Sequence, residues 1–310
     1  MGTDTLKLNF LIDADSALYK AGCAGERRWY EVVDVMSCEV LHECQYKKDA
    51  LNWIGDEPDL DCFPMKEAGP LKEAIYNLKL YINNIINNEH CDTYQVFVGG
   101  SGNYRREIDP EYKVSRNPLD KPFHIEALKD CLVKEYGAVR IDRLEVDDVV
   151  SILSQRDLQS NCIVSIDKDL LNTQGWHFNP DTLKLEYITE EQANLNFYRQ
   201  LLTGDSTDGI IGIKGYGKAA ALRILPKELP PQELCAVVWG EYQKNEHTME
   251  YFVQQGQLLW MLREENVMWY PPMDDNNYFF TPVLLPPVPD TPKQKATKRR
   301  VAEVEDEDGF

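Results

Sequence analysis

The chain has 310 residues, 43% hydrophobic and 27% charged, which suits one large or two small globular domains with an ample core. No apolar run approaches the roughly 18 residues of a membrane helix, and Met1–Lys7 lacks a signal-peptide pattern, so neither a membrane span nor secretion is expected. The net charge of −19 disfavours nucleic acid as a partner only if the acids are spread evenly, because bound cations reverse the local field. The 8 cysteines show neither CxxC pairs nor zinc spacing and read as free thiols of a reducing compartment.

In chain order, residues 8–12 read as a buried strand and 16–21 as the start of a helix. Residues 29–35 and 39–46 alternate like a hairpin, with a short helix over 47–54. Residues 71–88 carry apolar side chains at helical spacing, and 93–98 is a strand. Residues 103–121 form a basic, polar segment read as loop or short helix. A helix over 124–136, a strand at 139–141, a helix over 146–155, a strand at 162–166 and a hairpin through 176–188 complete an alternating pattern. That pattern predicts an α/β fold with a mainly parallel sheet, whose ligands gather at the carboxyl ends of the strands. Beyond Thr189 the chain reads as helical: 190–202, a compact 205–225, 231–242 and 248–264. From Pro271 it is proline-rich, then basic, then acidic, and residues from about 285 read as a disordered tail.

Acids collect where these elements end. Asp13 and Asp15 close the first strand and, two apart, can point the same way. Glu145, Asp147 and Asp148 open the 146–155 helix. Asp167 and Asp169 follow the strand at 162–166, and Asp205 and Asp208 follow the 190–202 helix. Each group alone reads equally well as helix capping. Together they are like charges that a hard divalent cation with oxygen ligands would neutralise. Two such ions held together are suited to phosphodiester hydrolysis.

Two other stretches fit an anionic polymer. Gly209–Leu222 has glycines at 212, 215 and 217 before Lys218, a helix–hairpin–helix pattern. Its backbone can approach a phosphate and aim free N–H groups at it. Asn103–Arg116 interleaves Tyr104, Arg105 and Arg106 with Tyr112, Lys113 and Arg116, suited to phosphate pairing and base stacking.

In this order the motifs resemble the 5′ nucleases of the flap endonuclease superfamily, and most of all the bacteriophage 5′→3′ exonucleases. The residues carrying the likeness are Ile12-Asp13-Ala14-Asp15, Tyr112-Lys113 with Arg116, Glu145-x-Asp147-Asp148, Asp167-x-Asp169, Gly204-Asp205-x-x-Asp208, Gly212–Lys218 and Gln255-Gly256-Gln257. The resemblance covers roughly residues 8–270. It implies a PIN-like nuclease domain over 1–188 with an arch at 103–121. A helical helix–hairpin–helix subdomain would follow over 189–270, and a tail over 271–310.

The resemblance also implies two Mg²⁺ ions (Mn²⁺ substituting) and hydrolysis from the 5′ end, or at a 5′ flap, of duplex, nicked or flapped DNA. RNA–DNA hybrids and RNA primers stay open as substrates, and the compartment implied is the cytoplasm of an infected host. By position, Asp13, Glu145, Asp147 and Asp167 correspond to ligands of one ion, and Asp148, Asp169, Asp205 and Asp208 to those of the other. Lys113 and Arg116 correspond to catalytic arch residues. Arg105, Arg106, Tyr112, Gly212, Gly215, Gly217 and Lys218 correspond to DNA contacts. The chain departs from the pattern at Gly100, where many members have an acid, and Asp15 is a candidate to compensate.

Two alternatives stand beside this reading. One is a catalytically impaired, structure-specific DNA-binding protein, for which Gly100 argues. The other is a haloacid-dehalogenase-type phosphatase, imitated by Asp13-Ala14-Asp15 and Gly204-Asp205-x-x-Asp208. The acidic end, Glu303–Phe310, is a candidate for docking on a replication protein.

Overall fold

The computed structural model describes residues 5–115, 120–272 and 285–298. Among these, two compact units separate: residues 5–16, 84–115, 132–272 and 285–298 in the first, 17–83 and 120–131 in the second.

The elements run in chain order as β1 (Leu8–Asp13), α1 (Asp15–Ala24), β2 (Arg27–Asp34), β3 (Val40–Cys44), α2 (Lys47–Ile54), β4 (Leu60–Glu67), α3 (Leu71–Ile86), β5 (Cys91–Gly99) and α4 (Arg105–Ile108). They continue with α5 (Ile125–Tyr136), β6 (Val139–Ile141), α6 (Val146–Gln155), β7 (Asn161–Val164), a 3-10 turn (Lys168–Asn172), β8 (Gly175–Asn179) and β9 (Lys184–Ile188). Helices α7 (Glu190–Thr203), α8 (Lys218–Ile224), α9 (Pro231–Lys244) and α10 (Met249–Leu259) and strand β10 (Gln294–Lys295) complete the set.

The first unit is built on a sheet of order β10-β5-β1-β7-β8-β9, with β6 also on β5. The pairs β1–β5, β1–β7, β5–β6 and β7–β8 are parallel, while β8–β9 and β10–β5 are antiparallel. A mainly parallel α/β sheet was the expectation, and it holds. Parallel strands buried on both faces are continuously apolar, and every residue of β1 is buried. Asp13 ends the strand, and Asn9 is the polar residue within it. Its amide donates to Gln95 Oε1 (3.1 Å) and Asn161 Oδ1 (2.9 Å) and its carbonyl oxygen accepts from Thr93 Oγ1 (2.8 Å), tying β5, β1 and β7 in one register. A buried network satisfied in this way specifies alignment as much as stability. Because the four strands β1, β5, β6 and β7 are parallel, their carboxyl ends share one edge.

Helices α7 to α10 share a core of Phe197, Leu201, Leu234, Val238, Tyr242 and Phe252, closed by Trp269. Thr189 starts α7 with a reciprocal capping box to Gln192. Two expected helices are shorter than the sequence suggested. Residues 205–225 are helical only from Lys218, because Asp205 and Ile210 pair backbone to backbone in a tight loop (2.7 and 2.8 Å). The helix expected over 248–264 stops at Leu259.

In the second unit the expected hairpin is present as β2 and β3, and a further strand, β4, pairs with β2 along its whole length. β4 contains Pro64, which hides it from sequence reading, but an edge strand tolerates a proline, and the order is β3-β2-β4.

Part of the expected disordered tail is placed on the sheet. Leu285 and Val288 are buried with Leu11, Phe97 and Leu262. β10 pairs with the first half of β5, and Gln294 Oε1 accepts from the Tyr94 hydroxyl at 2.9 Å. The remaining tail, including Glu303–Phe310, lies outside the described residues, as does Arg116. No helix among the described residues is long and apolar enough to cross a membrane.

Candidate active site

The carboxyl edge of the sheet carries the acids, and short backbone motifs aim them. Asp13 ends β1; its Oδ1 accepts the Asp15 N–H (3.0 Å) and its Oδ2 the Ser165 hydroxyl (3.0 Å). Ser165 Oγ in turn accepts the Asp167 N–H at 3.1 Å, and Asp167 caps the 3-10 turn by accepting the Asp169 N–H at 2.9 Å. Asp13, Ser165 and Asp167 are thus one linked set spanning the ends of β1 and β7. Glu145 stands at the N-cap of α6, with Asp147 and Asp148 in its first turn.

The charges do not balance. Burial, then Asp15, push the Asp13 carboxyl up to about 7. Asp147 is driven well above the carboxylate range by burial, then by Asp13 and Asp167. Asp169 is pushed up to about 7 by burial, then by Asp167 and a contact with Asp205. Glu145 goes the other way: burial would raise it, but Arg105 and Lys113 outweigh that and hold it at about 2.

The counter-charge comes from the 103–115 segment. Lys113 bonds Glu145 Oε1, lies 3.3 Å from Asp208 Oδ2, and sits 4.9 Å from the Tyr112 ring centroid. Its backbone is left-handed, φ +59°, with its N–H on the Asp208 carbonyl at 3.0 Å. A lysine held this way is strained by about 1 kcal/mol or more. The Tyr112 hydroxyl reaches Glu145 Oε2 (2.9 Å) and Asp208 Oδ2 (3.2 Å).

Several expected roles are revised by burial. Arg105, expected to contact DNA, is fully buried. It is bidentate to Asp148 (2.6 and 2.9 Å), with a third bond to Glu145 (2.9 Å). Asp148, expected to bind a metal, is equally buried. Its two oxygens are taken by Arg105 and by the Leu262 N–H (3.1 Å). Tyr112, expected to stack on a base, is only 3% exposed. Gly212, expected at a phosphate, is buried, with its N–H on Gln255 Oε1 (2.9 Å) and its Cα packed on the Gly204 backbone. Arg106, Gly215, Gly217 and Lys218 are exposed, as a DNA contact requires. Sequence reasoning missed Ser165, whose only signal is its place between the strand and Asp167.

Gly100 has a physical explanation. A Cβ there would meet Asp142 Oδ1 at 2.3 Å and the Ile141 carbonyl at 2.8 Å, so no side chain fits. Asp15 stands at the same strand end, its Oδ1 accepting the Gly99 N–H at 2.9 Å.

Hard oxygen donors crowded this way fit a divalent cation in kind. The geometry is not ready-made: among the described residues, no group of three or more His, Cys, Asp and Glu is placed to hold one ion.

Fold and site together define an α/β protein with an acidic cluster at the carboxyl edge of a mainly parallel sheet. No family model matches the chain. It is a relative of the exonuclease of Escherichia phage T7, 33% identical over 128 residues, which are 39% of this chain and 43% of that protein. It also aligns with the flap endonuclease Xni of Shewanella sp. (strain ANA-3), 31% identical over 149 residues, 42% of this chain and 55% of that one. The thermostable DNA polymerase I of Thermus thermophilus is 26% identical over 170 residues, 49% of this chain and 20% of that one. The chain thus spans about half the length, or less, of these relatives. Among solved structures, a mutant of the T5 5′-exonuclease gives a TM-score of 0.48 at 12% identity, covering 82% of this chain and 88% of that one. The resemblance read from the motifs agrees with the sequence likeness to a phage exonuclease and a bacterial flap endonuclease.

Proposed function

We propose that the chain is a divalent-metal-dependent 5′ nuclease that hydrolyses phosphodiesters from the 5′ end or at a 5′ flap of DNA. The observation that carries this is the joined set Asp13–Ser165–Asp167, with Asp147 beside it and Lys113 facing Glu145 and Asp208. Asp13 and Asp147 are held in repulsion with each other and with Asp167, a state that a hard cation relieves. The kinship with phage exonucleases supports the same reading. Mg²⁺ or Mn²⁺ ions, when bound, would supply an activated water and charge neutralisation at the leaving oxygen.

Asp13, Asp147, Asp167 and Glu145 are the proposed holders of one ion and Asp169, Asp205 and Asp208 of a second, with Asp15 serving where Gly100 carries no acid. Lys113 is placed to offset charge on the scissile phosphate once an ion takes over its carboxylates. The exposed turn at Gly215, Gly217 and Lys218, with Arg106, is proposed to hold the DNA backbone without reading sequence. In an infected host, such an enzyme would act in phage replication and recombination, RNA primers included among its substrates.

The deciding experiment is digestion of 5′-labelled duplex and flapped DNA with Mg²⁺ or Mn²⁺, against EDTA. Metal-dependent release of 5′ products is expected. Tight DNA binding with no cleavage in either metal would favour the binding-protein alternative. Hydrolysis of a small phosphate ester instead of DNA would favour a phosphatase.

A further inference from the structure

The largest fully buried side chain among the described residues is a charged one, Arg105. Its guanidinium is bonded through every N–H. Nε donates to the Leu258 carbonyl (2.9 Å) and Nη2 to the Trp260 carbonyl (2.7 Å) and Asp148 Oδ1 (2.9 Å). Nη1 donates to Asp148 Oδ2 (2.6 Å) and Glu145 Oε2 (2.9 Å). That uses the whole donor set of an arginine.

A buried ion pair is a poor way to gain stability, because desolvation rivals the Coulomb attraction and apolar residues often serve as well. The pair with Asp148 alone would not need the remaining bonds. What the arrangement adds is a fixed place for Glu145. Glu145 Oε2 is pinned between Arg105 Nη1 and the Tyr112 hydroxyl, which leaves Oε1 to Lys113. Lys113 also faces Asp208, so the position of Glu145 determines how Lys113 is shared between the two acids.

We propose that Arg105 is a positioning residue of the candidate active site. Asp148 and the two carbonyls at the end of α10 fix its guanidinium, and the guanidinium fixes Glu145. The catalytic consequence rests on the nuclease reading of the same site, whereas the geometric claim stands apart from it.

Arg105→Ala would strand Asp148 as an unpaired buried charge, so it is the wrong variant. Replacing both partners, Arg105→Met with Asp148→Leu, removes the charges together and is expected to give a cooperative thermal melt. Arg105→Lys is the fallback: it keeps a charge for Asp148 but lacks the fork that reaches Glu145. In a crystal structure of either variant, the Glu145 carboxylate is expected to leave Tyr112 or to occupy more than one rotamer. Glu145 found in its original place would overturn the proposal, whatever the protein's activity.

The second arm is calorimetric Ca²⁺ binding by the wild type, the variant carried forward, Glu145→Ala and their combination. Action through Glu145 predicts that the Arg105 change weakens Ca²⁺ binding by about tenfold in the wild-type background. It predicts no further effect once Glu145 is alanine. Equal weakening in both backgrounds would also overturn the proposal. A wild type that binds no Ca²⁺ would count against the metal reading of the site, with the crystal structure still deciding the positioning role.

Discussion

Lys113 shows what a single residue can disclose. Its left-handed backbone and its bonds to acids from two elements mark a position where conformational strain is spent on arrangement. Replacing Lys113 with alanine should lower turnover by roughly a hundredfold, as loss of one charged donor at a phosphate does. The melting temperature should move little, because Glu145 keeps its bonds to Arg105 and Tyr112; single-turnover cleavage beside a thermal melt checks both. Asp147→Ala and Asp167→Ala should abolish cleavage while leaving DNA binding measurable by fluorescence anisotropy. Full activity in either variant would remove the two-ion reading. Most of the acids at this edge were legible in the sequence, because each follows an apolar run. The burial of Arg105, Tyr112 and Asp148 was not. A basic–aromatic segment looks the same in sequence whether it faces DNA or neutralises carboxylates inside the protein, and only tertiary packing decides.

At the scale of elements, the loop between α7 and α8 shows why a glycine pattern misleads. Gly212 has φ +61°, and a Cβ there would sit 2.4 Å from the Gly204 amide nitrogen. Its role is close packing of the Asp205–Ile210 loop, which aims Asp205 and Asp208, rather than approach to a phosphate. Gly212→Ala is expected to lower the melting temperature by several degrees, since strain and backbone overlap add, and to weaken activity through misplacement of the two acids. Gly215→Ala, with open space around it, should cost less stability; equal losses in the two would refute the distinction. Strand β4 was illegible because of Pro64, and the 205–225 segment read as helix because its apolar spacing is carried by a loop packed on the helical core. The long helices and the parallel strands were read within a few residues, since their periodicity is set by burial on known faces.

For the whole molecule, the balance of charge predicts a pH response with a definite sign. Asp13 and Asp169 are pushed from 3.8 to about 7 in the folded state, so the folded protein keeps protons that the unfolded chain has released. Their contribution to stability is therefore present at low pH and lost as pH rises through about 7. Glu145, held at about 2 against an ordinary 4.5, acts oppositely and loses its contribution as pH falls below 4.5. In EDTA the melting temperature should consequently fall between about pH 5 and pH 8. Added Ca²⁺ or Mg²⁺ should raise it more at pH 8 than at pH 5, because binding needs the acids ionised. Scanning calorimetry across that range measures this, and a metal response independent of pH would contradict it.

The short strand β10 has a consequence for how the protein must be handled. It closes the first half of the β5 edge, where β6 closes the second half, and it draws Leu285 and Val288 into the core. A chain cut near residue 285 would bare Thr93 and Tyr94 with their unmatched backbone groups, a template for pairing with another molecule. Such a truncation is expected to self-associate in light scattering even if its active edge is intact, while a cut after residue 298 should stay dispersed. The residues that look most dispensable in the sequence thus act as a seal on the sheet.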